Sequence, residues 1–382
     1  MVAIDSYAGG DGRLSPLSTP SATRAVLEAH GIGTKYTLGQ NFLVNDDVLK
    51  KIIALAEVGE NDRVLEVGPG IGTLTIALLK HAASVIAIER DPDLPAVLAD
   101  TLHPWREKFA LIEKDALDVT RDDIVSVAST MVEPGGDTGC PDRASSAANE
   151  TAQWAVSQSE DCLSESGYPV APPQEDLQLS LPSKLVANLP YAVAATVVLD
   201  YFESFPFLDS ATIMVQKEVA DRMAAAVGTK NYGAYTVKLG LYAEPVGRFA
   251  VGPGNFFLPP RVDSAVIRLN RRVPLMADGA PASPEVIAAA ALMADAAFTN
   301  RRKTIANSCK TYFSGRGPIS LGAGPSAQEG VPGIVLPDGA AIAERLAAIF
   351  DAATIDPRRR GETLTQQEFL ALGAALLKVT AA

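Results

Sequence analysis

A chain of 382 residues with 47% apolar content has ample nonpolar side chain for a sizeable core, so a globular protein of roughly two or three domains is expected. Its net charge of −12 argues at first sight against a partner as anionic as nucleic acid, but the charge is unevenly spread. Twelve acids face two bases between Asp118 and Ser183, whereas fourteen bases face eleven acids from Arg261 to the end, so that exclusion does not hold for the C-terminal part.

The N-terminal stretch MVAIDSYAGGDGRLSP carries Asp5 and Asp11 and has neither a basic start nor an apolar run, unlike a signal peptide. Nothing approaches the apolar run of about eighteen residues that a membrane helix needs. The alanine-rich IAAAALMADAAF is broken by Asp295. A cytoplasmic protein without a membrane partner is expected. Cys140, Cys162 and Cys309 form no CxxC pair, and no histidines stand at ligand spacing, so three reduced thiols and no metal site are expected.

In chain order, residues 1–34 are rich in Ser, Pro and Gly with one short helix, Ala22 to Ala29, and read as an extension rather than a core element. Then come an amphipathic helix (Val48 to Ala56), a β-branched strand (Arg63 to Val67), a glycine-rich turn, a helix (Leu74 to His81) and strands Ser84 to Glu89 and Ala110 to Lys114. Strands alternating with helices at this spacing indicate an α/β protein with a parallel, doubly wound sheet. Residues 131–180 are Ser-, Pro-, Gly- and acid-rich without periodicity and read as a disordered insertion. After it follow strand Lys184 to Ala187, a helix Ala194 to Phe205, strand Ala211 to Gln216, helices Glu218 to Ala226 and Ala234 to Tyr242, and strands Val246 to Val251 and Ala265 to Leu269. A domain spanning 35–272 is therefore expected, followed by a small helical domain, 273–382, with a Gly/Pro-rich interruption near 314–338.

Chemistry is concentrated at the strand ends. In EVGPGIGTLT (Glu66 to Thr75), glycines between a strand and a helix let the backbone turn tightly and approach a ligand. Gly68, Gly70 and Gly72 are spaced GxGxG, with Thr73 where a dinucleotide fingerprint has its last glycine. The motif leans toward S-adenosylmethionine (SAM), which has no pyrophosphate to cradle; the plain alternative is a tight turn without a ligand. Glu89 closes the next strand, placed to accept from both ribose hydroxyls. Asp115, in KDA, closes the third, where a carboxylate can receive an adenine amine. The fourth strand ends in NLPY. Asn188, through its side-chain oxygen, and the carbonyl of Leu189 can each accept one N–H of an adenine amine, localising its lone pair and aiming it at a methyl donor. Pro190 lends rigidity, and Tyr191 offers a stacking face. Such stacking contributes on the order of 1 to 3 kcal/mol, against the few kcal/mol spent in unstacking a target base.

The ordered set LGQNFL (Leu38 to Leu43), EVGPGIGTLT, VIAIE, KDA, NLPY, MVQKEVADR (Met214 to Arg222), PPRVDSAVIRL (Pro259 to Leu269) and NRRKTIANS (Asn300 to Ser308) resembles the ribosomal RNA adenine dimethyltransferases. The resemblance spans most of residues 35–310, with an echo in IDPRRRGETLTQQEF. It implies a Rossmann-like fold and SAM-dependent transfer of two methyl groups to each of two adjacent adenosines, in a hairpin near the 3′ end of small-subunit rRNA within a 30S assembly particle. Carried over, the donor site falls on Asn41, Leu43, Gly68, Gly70, Glu89, Asp115 and Asn188, the target-stacking role on Tyr191, and a further aromatic contact on Phe256. Leu258 stands where proline is usual. Arg301, Arg302 and Lys303 are candidate phosphate contacts. Two other readings stay open: a large-subunit rRNA adenine methyltransferase of macrolide-resistance type, and an RNA-binding assembly factor with incidental methyl transfer. DNA adenine methyltransferases rank lower, since they typically carry a second proline where Leu189 stands. No dimerisation pattern stands out, so a monomer is expected.

Overall fold

The computed structural model describes residues 12–32, 41–131, 181–316 and 340–381. Leu38, Gly39 and Gln40 of LGQNFL, Cys140, Cys162, nearly all of the acidic 131–180 segment and most of the 314–338 stretch lie outside the described residues.

The sheet arises from short runs of β-branched and aliphatic residues. Strands β2 (Arg63–Val67), β3 (Ser84–Glu89), β4 (Phe109–Glu113), β5 (Lys184–Asn188), β6 (Ser210–Gln216), β7 (Ala243–Val251) and β9 (Ser264–Arg271) form one seven-stranded sheet in the order β4-β3-β2-β5-β6-β9-β7. The first five strands of that order are parallel; β9 pairs antiparallel with both β6 and β7. The sheet is thus mixed rather than wholly parallel. A separate two-stranded sheet pairs β1 (Phe42–Leu43) with β8 (Phe256–Phe257).

Period-two alternation divides the core between the two sheet faces. Val64, Val85, Ala87 and Val186 point to one face and join α2 (Asp46–Ala56), α3 (Thr73–Leu79) and α4 (Pro95–Thr101). Leu65, Ile86, Ile88, Leu185 and Ile213 point to the other, against α5 (Arg121–Thr130), α6 (Ala194–Ser204) and α7 (Lys217–Met223). Each fully buried Leu or Ile contributes about 1.5–3 kcal/mol. Helix starts follow from side-chain caps: Asn45 accepts from the N–H of Asp47 and Val48, and Thr120 with Asp123 forms a capping box. Periodicity had not singled out α4, which is too short, or α5, which buries only Ile124 and Ala128.

The N-terminal segment needs correction. Helix α1 (Pro20–Ala29) buries Val26 and Leu27, and with Leu17 they belong to the same core as Phe42 and Leu43. The carboxylate of Asp46 accepts the backbone N–H of Leu14 (2.8 Å) and Ser15 (3.3 Å), tying this segment to the first turn of α2. Its low apolar content hid a few well-placed anchors, so its described part, residues 12–32, packs on the core rather than lying apart from it.

Beyond β9, helices α9 (Pro284–Phe298), α10 (Ile305–Phe313), α11 (Ala340–Ala352) and α12 (Gln366–Ala381), with α8 (Ala234–Gly240) from the sheet side, enclose a third core built on Met293, Phe313, Ile349 and Phe369. At Gly373 a Cβ would come within 2.6 Å of the Ala290 nitrogen, so α12 lies directly on α9. Cys309 is a free, buried thiol of this core. No described helix is long and apolar enough to cross a membrane.

Candidate active site

The chain passes from β2 to β3 to β4 at one edge of the sheet, then returns to place β5 beside β2. In open α/β sheets a crevice forms at the carboxyl ends of the strands flanking such a reversal. Here that crevice is a cavity of about 550 Å³, within the range of small-molecule sites.

One wall is the turn after β2. Gly68, Gly70 and Gly72 have φ of 70°, 60° and 89°, the left-handed region open to glycine. A Cβ on Gly70 would come 3.3 Å from the Phe42 ring, and one on Gly72 would come 3.1 Å from Leu102. Side chains at these two positions would press on Phe42 and Leu102, so glycine lets the turn sit tight against its neighbours, with Gly68 and Gly70 lining the cavity.

The strand-end acids form the second wall. Oε1 of Glu89 accepts the backbone N–H of both Arg90 and Asp91 at 2.9 Å. Burial raises the proton affinity of Glu89, and these N–H bonds oppose the shift. Asp115 is held below the usual carboxylate range by the Leu117 N–H and by the Arg90 guanidinium, whose NH1 lies 2.8 Å from Oδ2. Glu66, on β2, is a wall residue the sequence reading gave no role. It is 1% exposed, and burial, opposed by a hydrogen bond from the Thr75 side chain and reinforced by the charge of Glu89, pushes its carboxyl up to about 8. Thr73 Oγ1, also in the wall, is buried without a hydrogen-bond partner among the described residues.

NLPY forms the third wall. Asn188 is the last residue of β5, and its Nδ2 donates to the carbonyl oxygen of Asn41 at 3.0 Å. With Nδ2 engaged, Oδ1 is the amide's acceptor. Leu189 is anchored by its N–H to the Met214 carbonyl (3.1 Å), and the Pro190 carbonyl accepts from Val193 and Ala194, so backbone bonds hold the short turn between β5 and α6. The Tyr191 hydroxyl bonds Ser264 Oγ at the start of β9 (2.5 Å). Ser264 lies in PPRVDSAVIRL, a segment whose contribution to the site depends on β9 folding back beside β6.

Asn41, Leu43, Gly68, Gly70, Glu89, Asp115, Asn188, Leu189, Pro190 and Tyr191 all line this one cavity. So do Phe42, Arg90, Asp91, Lys114 and Gln216, which the sequence reading passed over.

Four expected residues are not brought to it. Phe256 is 3% exposed and packs in the core opposite Leu43; in a two-residue strand one ring must turn inward, and pairing with β1 sends Phe256 there and leaves Phe257 the more exposed. The expectation of a Phe256 ring at the target base is corrected accordingly. Just beyond, Leu258 has φ 62°, which proline's locked φ forbids, so the loop follows a path unlike that of a proline-bearing sequence. Arg301, Arg302 and Lys303 lie on the helical part. Arg301 is occupied by Glu362 (2.9 Å) and the Lys230 carbonyl (2.9 Å), whereas Arg302 and Lys303 are exposed with no side-chain partner among the described residues.

Residues 33–317 match the family model for ribosomal RNA adenine dimethylase. The chain belongs to this family. Similar curated proteins include a ribosomal RNA small subunit methyltransferase A from a Geobacillus species, 33% identical over 95% of this chain and 98% of that protein. One of the same name from Corynebacterium jeikeium is 31% identical over 94% and 96%. Among solved structures, a dimethyladenosine transferase from Plasmodium falciparum aligns with TM-score 0.56 at 20% identity, covering 88% of this chain and 98% of that one. The 23S rRNA methyltransferase ErmE aligns with TM-score 0.50 at 21% identity, covering 88% and 99%; at such identity these two speak for the fold alone. As a ribosomal RNA adenine dimethylase, the chain is a SAM-dependent enzyme. The cavity suits that cofactor: a tight glycine turn at one wall, acids at successive strand ends, and the buried Thr73 hydroxyl lacking a partner among the described residues.

Proposed function

We propose that this enzyme dimethylates two adjacent adenosines in a hairpin near the 3′ end of small-subunit rRNA, acting as a cytoplasmic monomer on a 30S assembly particle. The name shared by its curated relatives supports the choice of subunit. The observation that carries the chemistry is the Asn188 amide, fixed by Asn41 at the edge of the cavity.

The cofactor, when bound, supplies an electrophilic methyl group. Glu89 would accept from its ribose, Asp115 from its adenine amine, and Asn41, Leu43, Gly68 and Gly70 would line its path. Asn188 Oδ1 and the Leu189 carbonyl would accept the two N–H groups of the target amine, drawing its lone pair out of the ring so that it can attack. Pro190 keeps the Leu189 carbonyl in register with the start of α6. Tyr191, steadied by Ser264, offers its ring to the unstacked base. The helical part, 273–382, would present Arg302 and Lys303 to phosphates.

The test is incubation of the purified protein with labelled SAM and unmethylated small and large subunits in parallel, then nucleoside mass spectrometry. Dimethyladenosine from the small subunit alone is expected. Label in the large subunit alone would transfer the assignment to the macrolide-resistance type, and no label in either, with SAM still bound, would favour an assembly factor.

A further inference from the structure

Arg90 follows the ribose-side acid and makes two bonds of different origin. Its backbone N–H donates to Glu89 Oε1 at 2.9 Å, and its guanidinium NH1 donates to Asp115 Oδ2 at 2.8 Å. One residue thus ties together the acids at the ends of β3 and β4. The first bond belongs to the main chain and any non-proline residue would make it; the second belongs to arginine.

We infer that Arg90 is a positioning residue of the donor pocket, fixing the Asp115 carboxylate for the adenine end of the cofactor. This rests on the reading of the cavity as a SAM site. Asp115 Oδ1 accepts the Leu117 N–H at 3.1 Å while Oδ2 accepts Arg90, so both oxygens are pinned and each retains a lone pair for a ligand. A carboxylate held this way is already ionised and aimed before an exocyclic amine arrives.

Stability alone gives little reason for the pair. Its side chains are 50% and 32% exposed, a setting in which ion pairs contribute about 0–1 kcal/mol. Its location gives more reason. The wall contains Glu66, Glu89, Asp91 and Asp115, and its basic side chains are Arg90 and Lys114. Lys114 is turned to Asp123 at 2.6 Å, which leaves Arg90 as the base paired with a wall acid. Guanidinium also presents its donors in a rigid planar fork that lysine's ammonium does not reproduce.

The test is calorimetric titration of the full chain with SAM and, separately, with S-adenosylhomocysteine. The variants are Arg90→Ala, Arg90→Lys, Asp115→Asn and the double variant Arg90→Ala/Asp115→Asn, each checked by thermal melting. Arg90→Ala is expected to weaken both ligands about tenfold, the scale of one charge-assisted bond, and Arg90→Lys to recover only part of this. In the Asp115→Asn background, loss of Arg90 is expected to matter about twofold or less, because the two act as one unit. Unchanged or tighter binding by a folded Arg90→Ala variant would overturn the inference, as would effects that multiply independently in the double variant. Failure of the unsubstituted protein to bind either ligand would instead defeat the reading of the cavity.

Discussion

The Asn188 side chain donates from Nδ2 to the backbone carbonyl of Asn41 at 3.0 Å, which links the end of β5 to the segment leading into β1. The residue that would accept the target amine is therefore oriented by main chain from the donor-binding segment. Asn188→Ala is expected to lower methyl transfer by about two to three orders of magnitude, the scale of losing one preorganised polar group in an active site, with the melting temperature nearly unchanged. Substantial activity in the folded variant would refute the acceptor role. The assay is single-turnover methylation at saturating SAM.

Tyr191 combines a ring with a hydroxyl bound to Ser264. Tyr191→Phe keeps the ring and loses one hydrogen bond, so a stability loss of about 1 kcal/mol and nearly full activity are expected. Tyr191→Ala removes the stacking face and is expected to weaken engagement of the target by about 1–3 kcal/mol. Comparable activity in both variants would show that the ring is not a stacking platform.

Glu66 gives a pH signature. Its folded carboxyl titrates near 8, above the ordinary value of 4.5. Between those values the folded state holds a proton that the unfolded state has released, so this residue lowers stability as pH rises from about 4.5 to 8 and no further beyond. Glu66→Gln is neutral and nearly isosteric, and should flatten the stability profile across that window in urea unfolding. A slope identical to that of the parent would contradict a protonated Glu66.

The basic run 301–303 divides into two roles. Arg301, bound to Glu362 and the Lys230 carbonyl, joins three separate segments; Arg301→Ala is expected to lower stability by about 1 kcal/mol after allowance for solvent screening. Arg302→Glu with Lys303→Glu is expected to leave stability intact, weaken rRNA binding and make its salt dependence shallower by roughly one to two units of slope. An unaltered slope would remove these residues from the RNA interface.

Strand ends were the most legible part of the sequence. Glu89 and Asn188 each close a run of aliphatic residues, and local pattern suffices to put them at the carboxyl edge of a parallel sheet. What escaped was set by distant partners. Whether Phe256 or Phe257 turns inward is decided by pairing with Phe42 and Leu43, far away in sequence. The engagement of Arg301 depends on Glu362 and Lys230, and Arg90 is informative only once β3 lies beside β4. The segment around Leu17, Val26 and Leu27 looked peripheral because so few of its residues are apolar, yet those few are the ones that pack.

The sheet order has a bearing on how the protein comes into being. Val64 pairs with Lys184, although β3, β4, α4, α5 and residues 132–180 all lie between them in the chain. Such non-local pairing is slow to form, because the intervening chain must be closed into a loop first. Since the cavity is lined from the turn after β2 through the NLPY end of the neighbouring β5 to Gln216 of β6, a nascent chain lacks a complete donor pocket until all of these segments have left the translating ribosome. SAM binding is therefore expected to appear late in synthesis, after β5 and β6 have paired beside β2, and chains ending before Tyr191 are expected to lack the NLPY wall altogether.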